Sequence, residues 1–84
     1  LAIELAPQNI RVNAVSPGAI ETPIISKTGI SKEKISAMRS KKEAQIPMAR
    51  YGDASEVAAV IIAQLEASYV TGAIWTVDGG VDAV

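Results

Sequence analysis

Residues 10–16 (Ile-Arg-Val-Asn-Ala-Val-Ser) form a β-type apolar run that stops abruptly at Pro17-Gly18, and no other feature constrains the chain as much. Pro17 fixes its own φ and has no N–H for a ladder, whereas Gly18 brings conformational freedom and no side chain. Such a break releases a loop, here carrying Ile20 and Thr22. Taken alone, a plain turn explains it, since Pro-Gly ends strands in many proteins. In an open parallel sheet the same break has a second meaning, because ligands gather beyond the carboxyl ends of the strands.

The flanking segments decide which kind of sheet this is. Residues 1–6 favour helix and Pro7 ends it, with Gln8-Asn9 turning into the strand at 10–16, where Val12 and Val15 suit burial on both faces. Residues 31–45 read as a polar helix ended by Pro47. Its apolar stripe is thin, Ile35 and Met38 standing almost alone, so it is expected to lie over the fold. Asp53 and Glu56 have capping-box spacing and open a helix over 53–66 whose Val57, Val60, Ile61 and Leu65 form a sheet-facing stripe. Thr71-Gly72 turns into a strand at 73–77, which Asp78-Gly79-Gly80 stops. Two strands joined by helices make one crossover, normally parallel and right-handed. A parallel pair this short has unpaired outer edges, which implies a larger sheet upstream.

Composition excludes more than it assigns. The 84 residues are 49% hydrophobic and 20% charged with a net charge of −1, so the chain is a single globular unit with no global reason to bind nucleic acid or an acidic membrane. Without cysteine or histidine it holds no disulfide, thiol nucleophile, Ser-His-Asp triad or His/Cys metal site. Its longest apolar stretch, residues 57–63, is too short for a membrane helix, and a cytoplasmic location is the default expectation.

In order and type these segments resemble the carboxyl-terminal part of the short-chain dehydrogenase/reductase family. Residues 1–7 (Leu-Ala-Ile-Glu-Leu-Ala-Pro) look like the end of that family's active-site helix, and residues 10–18 like its sixth strand with the Pro-Gly turn. Residues 46–57 are similar to the approach to its last long helix; residues 67–72 (Ala-Ser-Tyr-Val-Thr-Gly) and 76–80 (Thr-Val-Asp-Gly-Gly) are similar to its last turn and final strand. The resemblance implies an α/β fold, the carboxyl-terminal portion of a Rossmann-type doubly wound parallel sheet, and makes residues 1–84 one partial domain, a fragment cut within a helix at Leu1. It implies reversible hydride transfer between NAD or NADP and a small alcohol or carbonyl substrate, in a parent that is a homo-oligomer. Residues 23–48 take the place of a substrate lid. The helix exit is shorter than is common in the family, because residues 63–66 run straight into Ala67.

The same resemblance makes Pro17, Gly18, Ile20 and Thr22 the cofactor-binding residues, with the Ile20 main chain and the Thr22 side chain on the nicotinamide side. A carboxamide needs one donor and one acceptor in plane, which a backbone N–H and C=O in a rigid loop supply. The alternative for Thr22 is a cap on the following turn. No catalytic residue is placed: the family's acid/base tyrosine stands four residues before a lysine, but Tyr51 is followed there by Ser55 and Tyr69 by Ala73. The chain by itself is therefore expected to be inactive, and a non-catalytic binding or assembly module of the same ancestry is the alternative.

Three further features are weighed. Six of the eight basic residues, Lys27, Lys32, Lys34, Arg39, Lys41 and Lys42, cluster in one stretch, and a solvated helix face explains them better than an anion-attracting lid because no aromatic is interleaved. Asn13 inside a strand reads as a clamp between neighbouring strands, since a buried amide must find partners. Trp75 and Tyr69 read as packing or subunit-interface aromatics.

Overall fold

The computed structural model describes residues 1–21, 29 and 31–83. In chain order its elements are α1 (Ala2–Leu5), β1 (Ala14–Pro17), α2 (Lys32–Ala44), α3 (Ala54–Glu66) and β2 (Ile74–Val77), with 3-10 turns at Ala6–Gln8 and Val81–Ala83. β1 and β2 pair in parallel, Ala14 opposite Ile74 through Pro17 opposite Val77. α3 packs on both strands. This is the two-stranded parallel unit with crossover helix that the sequence implies.

Pro7 does not terminate α1 outright. It sits inside the 3-10 turn Ala6–Gln8, near its start, where a missing N–H costs no bond, and the reversal comes two residues later at Asn9, in the left-handed region at φ 60°. The ladder is also shorter at its beginning and longer at its end than residues 10–16. Ala14 N–H donates to Ala73 C=O at 2.9 Å and Gly18 N–H to Val77 C=O at 3.0 Å, so every second residue of β1 faces β2. Pro17 lies between two of these, its ring nitrogen directed away from β2, and ends the strand without breaking the ladder.

Residues 11–13 lie beside β2's approach without joining the ladder, because side chains take over there. Asn13 Nδ2 donates to Val70 C=O at 3.0 Å while its Oδ1 accepts from Ala73 N–H at 3.0 Å. Thr71 Oγ1 accepts from Val12 N–H at 3.1 Å, and Val12 C=O accepts from Gly72 N–H at 2.8 Å. Arg11 reaches across to the last turn of α3 and donates to Gln64 C=O at 2.7 Å, Leu65 C=O at 2.6 Å and Val70 C=O at 3.3 Å. The short helix exit is thus closed by a guanidinium placed on orphaned carbonyls at the negative end of the helix.

The sheet-facing stripe of α3 also differs from the sequence reading. Val57, Val60 and Gln64 are the more buried positions, whereas Ile61 and Leu65 are 41% and 68% exposed. Gln64 is buried, and its Nε2 donates to Ala14 C=O at 2.8 Å. A polar residue takes this position in the last turn because its amide meets a backbone carbonyl of β1. The strands are covered on one face only. Val15, Trp75 and Val77 are half-buried, while Ala14, Ser16, Ile74 and Thr76 are exposed, so burial of β1 on both faces is not achieved by the described residues. Trp75 packs; Tyr69 is fully exposed.

Among the described residues Ile46 is the one buried apolar side chain. The molecule exposes 6329 Å², well above the roughly 4,800 Å² of a compact monomer of its mass.

The Asn13 clamp gives a direct test. Asn13→Ala leaves Ala73 N–H without its partner and Val70 C=O with only the longer bond from Arg11, and in the intact protein carrying this chain it should cost about 1–3 kcal/mol, read as a lowered urea midpoint. An unchanged midpoint would show that the ladder alone holds the crossover.

Candidate functional site

At the carboxyl end of β1 the chain swings away from β2 and meets Gly52. Gly52 N–H donates to Ala19 C=O at 3.0 Å and Glu21 N–H donates to Gly52 C=O at 2.8 Å, which makes a parallel bridge between Ile20 and Gly52. Peptide planarity then fixes the rest: with Ala19 C=O and Glu21 N–H turned toward Gly52, the N–H and C=O of Ile20 itself point to the opposite side. One donor and one acceptor stand side by side on the outward edge of the loop.

Gly18 has a different part. Its N–H is taken by Val77, so it offers no donor to a ligand. A Cβ at this position would lie 2.6 Å from Asp78 Cβ and 3.0 Å from Asp78 Cα, so the missing side chain makes room for the end of β2. Asp78 in turn holds its own loop: Oδ1 accepts from Gly80 N–H at 3.0 Å and Oδ2 from Asp82 N–H at 2.9 Å. Gly79, at φ 66°, lets Ile46 and Met48 come close, and Met48 N–H donates to Gly79 C=O at 3.0 Å. The two strand ends and residues 46–52 thereby surround an open cleft of about 510 Å³, lined among others by Ala19, Met48, Gly52, Thr76, Asp78 and Gly79.

Two ion pairs stand near the strand ends, and the first of them lines the cleft. Arg50 donates to both carboxylate oxygens of Glu56, at 2.8 and 3.0 Å, and Glu56 also accepts from Asp53 N–H at 2.9 Å as part of the capping box of α3. The Arg50 guanidinium first, and the Asp53 N–H second, hold the Glu56 carboxyl down to about 2. The other pair is Glu21 with Arg39 of α2, joined through both guanidinium nitrogens and both carboxylate oxygens. Arg39 lies 4.8 Å over the Tyr51 ring and also reaches Glu43 at 3.4 Å. Its hydrogen bonds hold the Glu21 carboxyl below the ordinary carboxylate range.

Of the residues singled out from the sequence, Pro17, Gly18 and Ile20 come together at this strand end, and Thr22 lies outside the described residues, as does most of residues 22–30 at the start of the lid segment. The sequence reading missed Glu21, Arg39, Tyr51, Gly52 and Asp78. One signal was available: Arg39 is the single arginine among five lysines in the basic stretch, and arginine is the residue suited to bidentate pairing and stacking on an aromatic. Lys34, Lys41 and Lys42 of the same helix are exposed.

Comparison with known proteins identifies this arrangement. Residues 1–82 match the family model described as enoyl-(acyl carrier protein) reductase. The chain belongs to the short-chain dehydrogenase/reductase family. It is 48% identical over 81 residues to a 3-oxoacyl-[acyl-carrier-protein] reductase of Thermotoga maritima, covering 94% of this chain and 30% of that one. It is 40% identical over 80 residues to carbonyl reductase family member 4 of Xenopus tropicalis, covering 95% and 30%. A solved small-chain dehydrogenase in complex with NADPH superposes with a TM-score of 0.82 at 37% identity, over 100% of this chain and 36% of that one. A short-chain dehydrogenase family protein from Francisella tularensis does so with a TM-score of 0.84 at 32% identity, over 100% and 38%. The chain therefore spans about a third of the length of these relatives, and its sheet is part of a Rossmann-type fold. Among the described residues no helix is long and apolar enough to cross a membrane, and no cluster of acidic residues could hold a metal.

Two outcomes are expected from this geometry. Gly18→Ala should destabilise the intact protein by about 1–3 kcal/mol, because its Cβ would meet backbone and Cβ atoms of Asp78 that cannot swing aside; a wild-type urea midpoint would contradict the contact. Glu56 ionises well below its ordinary value of 4.5. Its contribution to stability is therefore complete above about pH 5 and lost as the pH falls toward about 2. Glu56→Gln should be less stable than wild type at neutral pH and should lose less on acidification, which urea midpoints at neutral and acid pH will show.

Proposed function

We propose that this chain is the carboxyl-terminal part of an NAD(P)-dependent oxidoreductase that interconverts an alcohol and a carbonyl, with residues 17–22 as the turn on the nicotinamide side of the cofactor. The observation that carries this reading is the outward-facing N–H and C=O of Ile20, a donor and acceptor pair of the kind a nicotinamide carboxamide requires. Thr22, two residues on, adds a hydroxyl. Pro17 and Gly18 shape the turn and contribute no donor. Residues 23–48, which include α2, are the lid on the substrate side, and residues 1–84 are one partial domain. The complex of a structural neighbour with NADPH and the reductase names of the relatives support the assignment. Between NAD and NADP nothing in residues 17–22 discriminates.

The chemistry divides accordingly. When bound, the nicotinamide supplies or accepts the hydride. The backbone N–H and C=O of Ile20 would hold its carboxamide, and the bridge to Gly52 keeps that backbone in place. Tyr51 and Tyr69 lack the lysine four residues on that the family's proton donor has, so proton transfer at the carbonyl falls to residues of the parent beyond this chain. Small alcohols or carbonyl compounds are the substrate class, and the parent is a homo-oligomer.

Cofactor titration of the intact enzyme tests the reading. Thr22→Ala should raise the Kd for the nicotinamide cofactor about fivefold, the weight of one hydrogen bond of about 1 kcal/mol, and Gly18→Val should raise it further because the turn itself is displaced. Unchanged affinity in both variants would return residues 17–22 to a plain turn.

A further inference from the structure

We infer that Arg50 and Glu56 are a positioning pair for the turn at Ile20: together they set both peptide planes that flank Gly52, and those planes aim the Ile20 N–H and C=O at the cofactor. The ligand comes from the proposed function, on which the inference rests; the mechanism comes from hydrogen bonds. The Tyr51–Gly52 peptide is held at both ends, its C=O accepting from Arg50 Nη1 at 3.1 Å and its N–H donating to Ala19 C=O at 3.0 Å. The Gly52–Asp53 peptide is held likewise. Its N–H donates to Glu56 Oε1 at 2.9 Å, and its C=O accepts from Glu21 N–H at 2.8 Å. Arg50 Nη1 and Nη2 reach Glu56 Oε1 and Oε2 at 2.8 and 3.0 Å, which joins the two outer anchors in one closed fork. Gly52 thus holds the residues on either side of Ile20, and Arg50 with Glu56 holds the residues on either side of Gly52.

Gly52 is where such support is needed. A Cβ there would stand 3.0 Å from Ile20 Cδ1, so the close approach of the two segments favours glycine, and glycine restrains its flanking peptides less than any other residue. Planarity carries the outer contacts to the inner ones: a C=O directed by Arg50 directs the N–H of the same peptide unit to the opposite side. As an ion pair the two residues contribute little, since their side chains are 50% and 45% exposed and solvent screens such charges. As a bidentate fork they set direction as well as distance. Glu56 lies in the first turn of α3, which packs on both strands, so the outer anchor belongs to the same framework that carries β1. A lysine in place of Arg50 would keep the charge and lose the fork.

The test uses the intact enzyme, with NADPH and NADH as probes, in four forms: wild type, Arg50→Ala, Arg50→Lys and Glu56→Gln. Amide hydrogen exchange is followed at Gly52 and Glu21, whose N–H groups make the bridge, and at Ala14 and Gly18, whose N–H groups bond to β2 and its approach. Arg50→Ala should speed exchange at Gly52 about three- to tenfold and raise cofactor Kd by a similar factor, the weight of one hydrogen bond. Exchange at Ala14 and Gly18 should stay at the wild-type rate, and kcat at saturating cofactor should change by less than about twofold. Arg50→Lys and Glu56→Gln, which keep the charge or the acceptor but not the charged fork, should fall between wild type and Arg50→Ala. Exchange that rises equally at Ala14 and Gly18 would make the pair a general structural support and overturn the inference, as would unchanged exchange at Gly52. Faster exchange confined to the bridge with cofactor Kd unmoved would overturn it too, while the proposed function stands. If wild type binds neither cofactor, the proposed function fails, and exchange at Gly52 and Glu21 alone decides whether the pair sets the bridge.

Discussion

The crossover between two parallel strands is the constraint on which everything else here depends. Strands of four residues each supply few ladder bonds, and parallel strands have no hairpin to hold their register. In this chain the register is fixed by side chains at the beginning of β1. Arg11 ties the last carbonyls of α3, Asn13 ties both sides of the turn into β2, and Gln64 returns a hydrogen bond from α3 to Ala14. All three reach between segments more than 45 residues apart in sequence. With Ile46 as the one buried apolar residue among those described, directional bonds rather than packed volume define how these segments meet.

A network of this type has a cost if it is incomplete, because each unpaired group would be a penalty. No buried side-chain nitrogen or oxygen among the described residues lacks a partner. Asn13 uses its oxygen and its amide on two demands of the same turn, and Arg11 covers two carbonyls that the abrupt end of α3 would leave exposed as well as sharing Val70 C=O with Asn13. The shortness of that helix exit is therefore matched by a residue over fifty positions earlier.

Periodicity and, at Asp53 with Glu56, capping chemistry made the element order legible, while the cap that Ser31 gives to Lys34 N–H at the start of α2 is a finding of the structure. The strand pair and its parallel sense followed from the alternation of elements. Asn13 as a clamp was also visible, since an amide within an apolar run has few other roles. Gln64 was not, because a stripe drawn by hydrophobicity passes over a polar side chain whose partner is backbone, and so Leu65 was assigned the face that Gln64 occupies. The ends of β1 were misplaced for a related reason. Whether Pro17 breaks a ladder depends on which way its nitrogen faces, a fact of register that composition does not carry. At the site, Gly18 was legible as a place that admits no side chain, but the neighbour that excludes one is Asp78 of the other strand.

The turn shows how a single stretch of backbone serves the sheet and still presents a donor and an acceptor outward. Along β1 every second residue faces β2, and after Gly18 has given its N–H to Val77 the alternation continues with a new partner, Ala19 and Glu21 facing Gly52. Ile20 falls on the off-beat of that alternation and is left with its donor and acceptor directed outward. No side-chain chemistry is needed to place them: planarity of two peptide groups and two hydrogen bonds of 2.8 and 3.0 Å suffice. What the side chains add is the frame. Asp78 keeps the end of β2 folded against Gly18, and Glu21 with Arg39 and Tyr51 joins the two strands of the bridge to α2. A ligand contact of the proposed kind would be made by main chain and so would not depend on the Ile20 side chain, provided that Gly18, Gly52 and the Glu21 pairing hold the backbone in place.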